Sequence, residues 1–230
     1  MEMNKVNNTG LSQAVSTRDA VYLKLREQIL NLELLPGTPL SENESAQIFQ
    51  VSRTPVRESF LRLSQEGLVQ VLPQRGTFVS LIDSELVEEA RFMREHLESA
   101  VIKLACKQLD DSYMAQLEQN IVKQQVCLEL QDNKEMFLLD QQFHRLLFEG
   151  CQKLHTWFAM QQLTVHLDRS RALMLVSELQ WHHLFEQHQQ MVIAIRAGDM
   201  EQADEVMHQH LQLNIADQAK LKEKFPNYYK

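Results

Sequence analysis

Proline is nearly absent from two thirds of this chain. Four of its five prolines, Pro36, Pro39, Pro55 and Pro73, fall in one early stretch, and none occurs between residue 84 and Phe225. Proline breaks helix interiors, so that long stretch is free to be helical throughout. Glycine is scarce as well, at six residues. The three cysteines, Cys106, Cys127 and Cys151, lie far apart with no CxxC pair. That spacing excludes a disulfide framework; they read as buried small hydrophobes in a reducing cytosol, a redox role being the other reading. No apolar run approaches the ~20 residues that span a bilayer, and the start is polar rather than a basic region followed by an apolar one. A soluble cytoplasmic protein with no membrane partner is expected.

An excess of positive charge is also missing. The net charge is −8, which looks wrong for a nucleic-acid binder until it is divided. Residues 1–80 hold eight Lys/Arg and eight Asp/Glu, whereas residues 81–230 hold fifteen and twenty-three and so carry the whole deficit. Within residues 50–76 four arginines face two glutamates. Local placement, not the total, decides what this end can bind.

The length of 230 residues suits two domains or one large one. Residues 1–16 have no hydrophobic period and read as a flexible arm. From Thr17 onward Tyr22, Leu25, Ile29 and Leu32 recur at helical spacing. Pro36-Gly37 marks a turn, and Ser41 with Glu44 forms a capping-box pattern opening a second helix, with Ala46, Ile48 and Phe49 available for packing. Ser52 is placed to cap a third helix, with Pro55 in its first turn and Gly67 as its stop. Two short apolar runs around Pro73–Gly76 predict a β-hairpin. Three helices and a hairpin over residues 17–81 make a winged helix-turn-helix. After a link at Leu81–Asp83, residues 84–224 read as helices only, with candidate spans 84–109, 112–131, 133–150, 154–176, 178–197 and 200–222. Asp132 with Glu135, and Gly198-Asp199, punctuate them. The predicted class is therefore mainly α: an N-terminal winged helix-turn-helix plus a C-terminal all-α helical bundle.

In the third helix Val56, Phe60 and Leu63 face a core, which turns Arg53 and Arg57 to the adjoining flank, with Ser52 and Thr54 at the N-terminus. A recognition helix enters the major groove N-terminus first. Arginine forks bond guanine edges, while hydroxyls and helix N–H groups suit phosphates. Arg75 and Gly76 at the hairpin tip are placed to reach a neighbouring groove or phosphate. Charge alone leaves a solvated face of an ordinary helix as an equal alternative.

In the helical part Asp140 and His144 sit one turn apart on the side that carries Phe137, Phe143 and Leu147. His188 interrupts Leu184, Met191 and Ile195, and His210 interrupts Ala203, Val206 and Leu213. Three imidazoles and a carboxylate on apolar faces suit one divalent ion per chain, Zn, Ni, Mn or Fe. Each histidine taken singly also reads as a satisfied core residue. Arg94 and Arg171 lie on helices bordering the same region, where a guanidinium invites a carboxylate ligand. For Arg94 a salt bridge to Glu98, one turn on, is the other reading.

The stretch from Val21 to Leu81 resembles the DNA-binding domain of the GntR family, through L-R-x-x-I-L, P-G-x-x-L-S-E, V-S-R-T-P-V-R-E-x-x-x-R-L, E-G-L-V and R-G-x-F-V. The resemblance implies DNA contacts at Ser52, Arg53, Thr54, Arg57, Arg75 and Gly76. Asn43 stands where many members carry Arg, and Asn31 where Gly is common. Residues 84–215 resemble the FCD-type effector domain of the FadR-like branch, through R94-E-H-L-E98, D140-Q-Q-F-H144, D168-R-S-R171, E186-Q-H188, A194-I-R-A-G-D199 and M207-H-Q-H210-L211. This implies a metal held by Asp140, His144, His188 and His210, and a small organic acid effector; His208 is the near miss. His155, His166, His182 and His183 match nothing and read as surface or packing residues. The function expected is a homodimeric transcriptional regulator, repressor or activator, binding an inverted-repeat operator in double-stranded DNA under control of that acid. A metal-dependent hydrolase is the alternative, since such a centre can activate water; no general base or nucleophile accompanies the ligands. A helical interaction module with a structural zinc is a third reading.

Overall fold

A computed structural model describes residues 16–175 and 181–230; the arm expected over residues 1–16 lies almost wholly outside them. The chain opens with α1 (Thr17–Leu30), β1 (Pro39–Leu40), α2 (Glu42–Ile48), α3 (Arg53–Gln65), β2 (Val69–Leu72) and β3 (Gly76–Val79). Buried Tyr22, Leu25 and Ile29 of α1 pack with Val56, Phe60 and Leu63 of α3, the faces their spacing predicts. Ile48 departs from expectation and is exposed. The short α2 buries Ser45 and Ala46, and two residues beyond Ala46 is the far side of a helix.

The expected hairpin forms, with Gln70 opposite Phe78 and Leu72 opposite Gly76. A third strand joins it: β1 pairs antiparallel with β3, giving the order β1-β3-β2. Two residues are too few for a strand signal, and Pro39 fits only because it stands on an edge. Ser52 precedes α3 in the N-cap position but makes no side-chain cap bond, correcting the expected cap. The third residue of α3 is Pro55, which has no N–H for a capping hydroxyl to bind. At the far end of α3, Glu66 accepts from Arg26 of α1 at 2.8 Å and from the Tyr22 hydroxyl, which fixes the helix against α1.

Among the described residues seven helices follow: α4 (Ser84–Gln108), α5 (Asp111–Leu130), α6 (Asn133–Gly150), α7 (Leu154–Leu163), α8 (Val165–Leu175), α9 (Trp181–Ala197) and α10 (Met200–Lys224). Asp132 and Asp199 cap α6 and α10 as their sequence patterns predict. The expected single helix over 154–176 is instead two, divided at the fully buried Thr164. No proline or glycine marks the break. It lets Val165 leave the bundle and join the core of the winged head.

The two parts are fastened together rather than strung on a tether. Ile82, in the link, is fully buried and pairs in parallel with Tyr229, so the C-terminal segment straps the link down. Lys230 adds an ion pair to Asp83 at 2.7 Å. Every residue of α8 from Val165 to Met174 is buried, although five of those ten are polar. The Asp83 N–H donates to Nδ1 of His166 at 3.1 Å. Ser170 bonds the Tyr229 hydroxyl at 2.9 Å.

Candidate metal centre and nucleic-acid interface

Asp140, His144, His188 and His210 converge from α6, α9 and α10, and all four are buried. Their nearest ligand atoms lie within 4.8 Å of one another. From Oδ1 of Asp140 the Nε2 atoms of His144, His188 and His210 stand at 3.9, 3.7 and 3.7 Å. Nε2 of His144 is 3.1 Å from Nε2 of His210. Ligand atoms about 2.0–2.2 Å from one ion would stand roughly 3–3.5 Å apart, so a small contraction closes the set.

The surrounding hydrogen bonds decide which ring nitrogen carries the proton. Asn120 donates to the Leu139 carbonyl at 3.0 Å, and a carbonyl can only accept. The Asn120 oxygen therefore accepts from Nε2 of Gln124 at 2.6 Å. That leaves the Gln124 oxygen to accept from Nδ1 of His188 at 2.9 Å. Nδ1 of His210 likewise donates to Gln187 at 3.2 Å, and Nδ1 of His144 lies against the Glu98 carboxylate. With Nδ1 of His188 and His210 bonded outward and Nδ1 of His144 facing the Glu98 carboxylate, the three Nε2 atoms face one another and Asp140. Oδ1 of Asp140 and Nε2 of His188 have no hydrogen-bond partner among the described residues. Buried polar atoms are rarely left so. A divalent cation is the group that satisfies this arrangement, and the residues fit one.

Electrostatics support the same occupant. Burial pushes the Asp140 carboxyl up, but Arg171 and the three imidazoles outweigh it and hold the group far below the usual carboxylate range. Burial also opposes charge on Glu98, and Arg94 with His144 overcomes it, leaving the group at about 2. Burial drives His188 down to about 3 and His210 well below its usual value. Neutral imidazoles and an ionised carboxylate are the ligand forms a metal requires.

Arg94 and Arg171 border this centre on a cavity of about 20 Å³. Each is already paired: Arg94 donates to Glu98 at 2.6 Å, and Arg171 to Oδ2 of Asp140. The salt bridge that was one of two readings for Arg94 is therefore formed. His208 lies on the flank beside Glu95, 2.9 Å away. His155, His182 and His183 are exposed, and His166 is packed at the junction of the two parts.

On the winged head Ser52, Arg53, Thr54 and Arg57 are exposed together at the start of α3, and Arg75 and Gly76 are exposed at the hairpin tip. Gly76 has φ +108°, a conformation that suits glycine. Arg53 has only a loose ion pair to Glu42 at 3.6 Å. Because Ser52 makes no cap bond, its hydroxyl is open to a ligand.

Sequence reasoning singled out all four candidate ligands but not the residues that orient them. Gln124 and Asn120 carried a signal. They sit on the same face of α5 as buried Leu117 and Cys127, where polar side chains need a reason. Gln187, which braces His210, carried none.

Among the described residues no helix is long and apolar enough to cross a membrane. Residues 17–79 match the family of bacterial regulatory proteins described as gntR, and residues 89–213 match the FCD domain. A HTH-type transcriptional regulator in an unstable DNA locus of Streptomyces ambofaciens is 38% identical over 215 residues, 93% of this chain and 90% of that one. The HTH-type transcriptional repressor RspR of Escherichia coli is 34% identical over 204 residues, 89% and 90% of the two chains. In fold, the E. coli McbR/YncC structure aligns with a TM-score of 0.78 at 23% identity, covering 90% of this chain and 99% of that one. These domains and relatives are those of regulators, not of enzymes, which sets the hydrolase alternative aside. The chain belongs to the GntR family of bacterial transcriptional regulators and carries an FCD domain behind its helix-turn-helix head.

Proposed function

We propose that this regulator binds an inverted-repeat operator as a homodimer, and that a small organic acid controls the affinity from a metal centre in the helical domain. The reader is residues 17–81, using Ser52, Arg53, Thr54, Arg57, Arg75 and Gly76; the sensor and pairing domain is residues 84–224. Asp140, His144, His188 and His210 hold one divalent ion. Such an ion supplies fixed positive charge and, if more than four-coordinate, a place for an acid oxygen. The observation that carries the reading is the buried cluster of Asp140 and the three histidines, with Oδ1 of Asp140 and Nε2 of His188 left unsatisfied.

Arg94 and Arg171 are the residues that would take the acid's carboxylate, each keeping part of its fork beyond the bond it already makes. A second copy of the chain has an apolar surface to use: exposed Leu86 and Phe92 of α4 and Leu163 of α7 line one open hollow. Pairing there would set two recognition helices on a symmetric site. The test is metal analysis of the purified protein, then operator titration with and without organic acids, before and after chelation. Acid-dependent affinity that chelation abolishes is expected. Affinity indifferent to both metal and every acid would overturn the reading.

A further inference from the structure

The small cavity beside the metal centre has a third donor that no motif announces. Trp181, the first residue of α9, lines it with Arg94, Arg171 and His210, against Phe137 and Leu184. Trp181 is 6% exposed, and its indole N–H has no hydrogen-bond partner. An indole nitrogen can only donate, and a buried donor with no acceptor is costly enough that most find one. Among the described residues the chain offers no acceptor to it. Its packing partners in the same cluster, Cys127, Met136, Phe137 and Leu139, are apolar.

The chemistry of the walls is one-sided. Two arginines and a tryptophan with an unpartnered indole N–H line it, and no carboxylate does among the described residues. Such a site selects a ligand rich in acceptor oxygens and with no donor requirement. The two arginines account for a carboxylate. The indole asks for one more oxygen on the same small molecule, flanked by an apolar face for Phe137 and Leu184.

The geometry points to Trp181 as the residue that distinguishes a 2-hydroxy or 2-oxo acid from a plain carboxylic acid, by donating its indole N–H to the oxygen beside the carboxylate. This rests on the reading that the helical domain binds an acid. At about 20 Å³ the cavity has room for roughly one water, so an entering acid displaces a wall. Trp181 is one of those walls, and its fluorescence reports entry.

The test uses the full zinc-loaded protein and two matched pairs of probes, lactate against propionate and malate against succinate, in calorimetric titration. The hydroxylated member of at least one pair is expected to bind the wild type about tenfold more tightly, as a gained hydrogen bond implies. Trp181→Phe should lower that affinity to the level of the plain acid while zinc content stays unchanged. Tryptophan emission of the wild type should shift with the same midpoint as the heat. Equal affinity within both pairs, or a preference that survives in Trp181→Phe, overturns the assignment while leaving the acid reading intact. No binding of any of the four acids to the wild type overturns both.

Discussion

Arg169 donates to Ser80 twice, through Nη1 to the hydroxyl at 3.1 Å and through Nη2 to the carbonyl oxygen at 2.5 Å. Ser80 follows the last strand of the winged head, and its own hydroxyl donates to the Gly67 carbonyl at 2.5 Å. One side chain of α8 thereby grips both the end of the wing and the turn that leaves the recognition helix. Its neighbour two residues on, Arg171, is bonded to Asp140 in the candidate metal centre. The helical domain and the winged head meet in one short helix.

Replacing Arg169 by Ala leaves the Ser80 carbonyl and hydroxyl without their donor in a buried junction. The expected cost is about 1–3 kcal/mol. Because the lost contacts join the two parts, calorimetry should show unfolding separate into two transitions, with metal content unchanged. A single transition at the wild-type midpoint would show that the grip on Ser80 contributes nothing to the joint.

His188→Ala should strip most of the metal, since a neutral imidazole cannot be replaced by a methyl group. Gln124→Leu tests the bracing instead of the ligand. It removes the acceptor for Nδ1 of His188 and should weaken metal binding about 10–100-fold. Competition against a chelator measures both. Wild-type affinity in the Leu variant would mean that the amide chain from Asn120 does not govern the His188 tautomer.

Acid should loosen the metal-free protein. His188 is held at about 3 by burial, and His166 at about 4 by burial with Arg169 nearby, both below the usual 6.5. A folded imidazole with a lowered pKa binds fewer protons than its unfolded counterpart, so stability rises with pH between those values. Glu98, lowered from 4.5 to about 2, contributes stability present above 4.5 and lost toward 2. All three act in one sense. Tm of the metal-free protein should fall steadily from pH 6.5 to pH 4; a level or rising Tm would contradict the protonation states described here.

On the head, Arg53→Ala or Arg57→Ala should cost roughly 1–3 kcal/mol at the operator and, where the residue reads a base, relax preference at one position. Arg75→Ala should weaken binding with little change in base preference. Band-shift titration over a set of single-base operator variants separates these outcomes.

The sequence made the architecture readable where one face of a helix or strand meets water. Val56, Phe60 and Leu63 announced the buried side of α3, and the exposed arginines followed by geometry. The four candidate ligands were readable for the opposite reason, as polar groups on faces that should be apolar. Periodicity failed on α8, where His166, Asp168, Arg169 and Ser170 look like a solvated surface and are all buried, as is Arg171. Apart from Thr164, which bonds Asp168 one turn away, their partners are more than twenty residues distant in the chain, beyond any local pattern. The break at Thr164 was hidden likewise, because it answers a demand of the head's core for Val165 and not a helix-breaking residue. The β1 strand was too short to carry a pattern.

Four successive residues of α8 therefore have four separate obligations. Asp168 takes a bond from Thr164 at 3.2 Å, Arg169 goes to Ser80, Ser170 to Tyr229 and Arg171 to Asp140. Successive side chains on a helix are about 100° apart, so the helix has no spare side on which an error can be hidden. Adding or deleting a single residue within it would rotate all four away from their partners at once. Length variation among natural relatives should accordingly fall outside this segment, and a drug or mutation that turns α8 about its axis would disturb the link, the strap and the metal centre together.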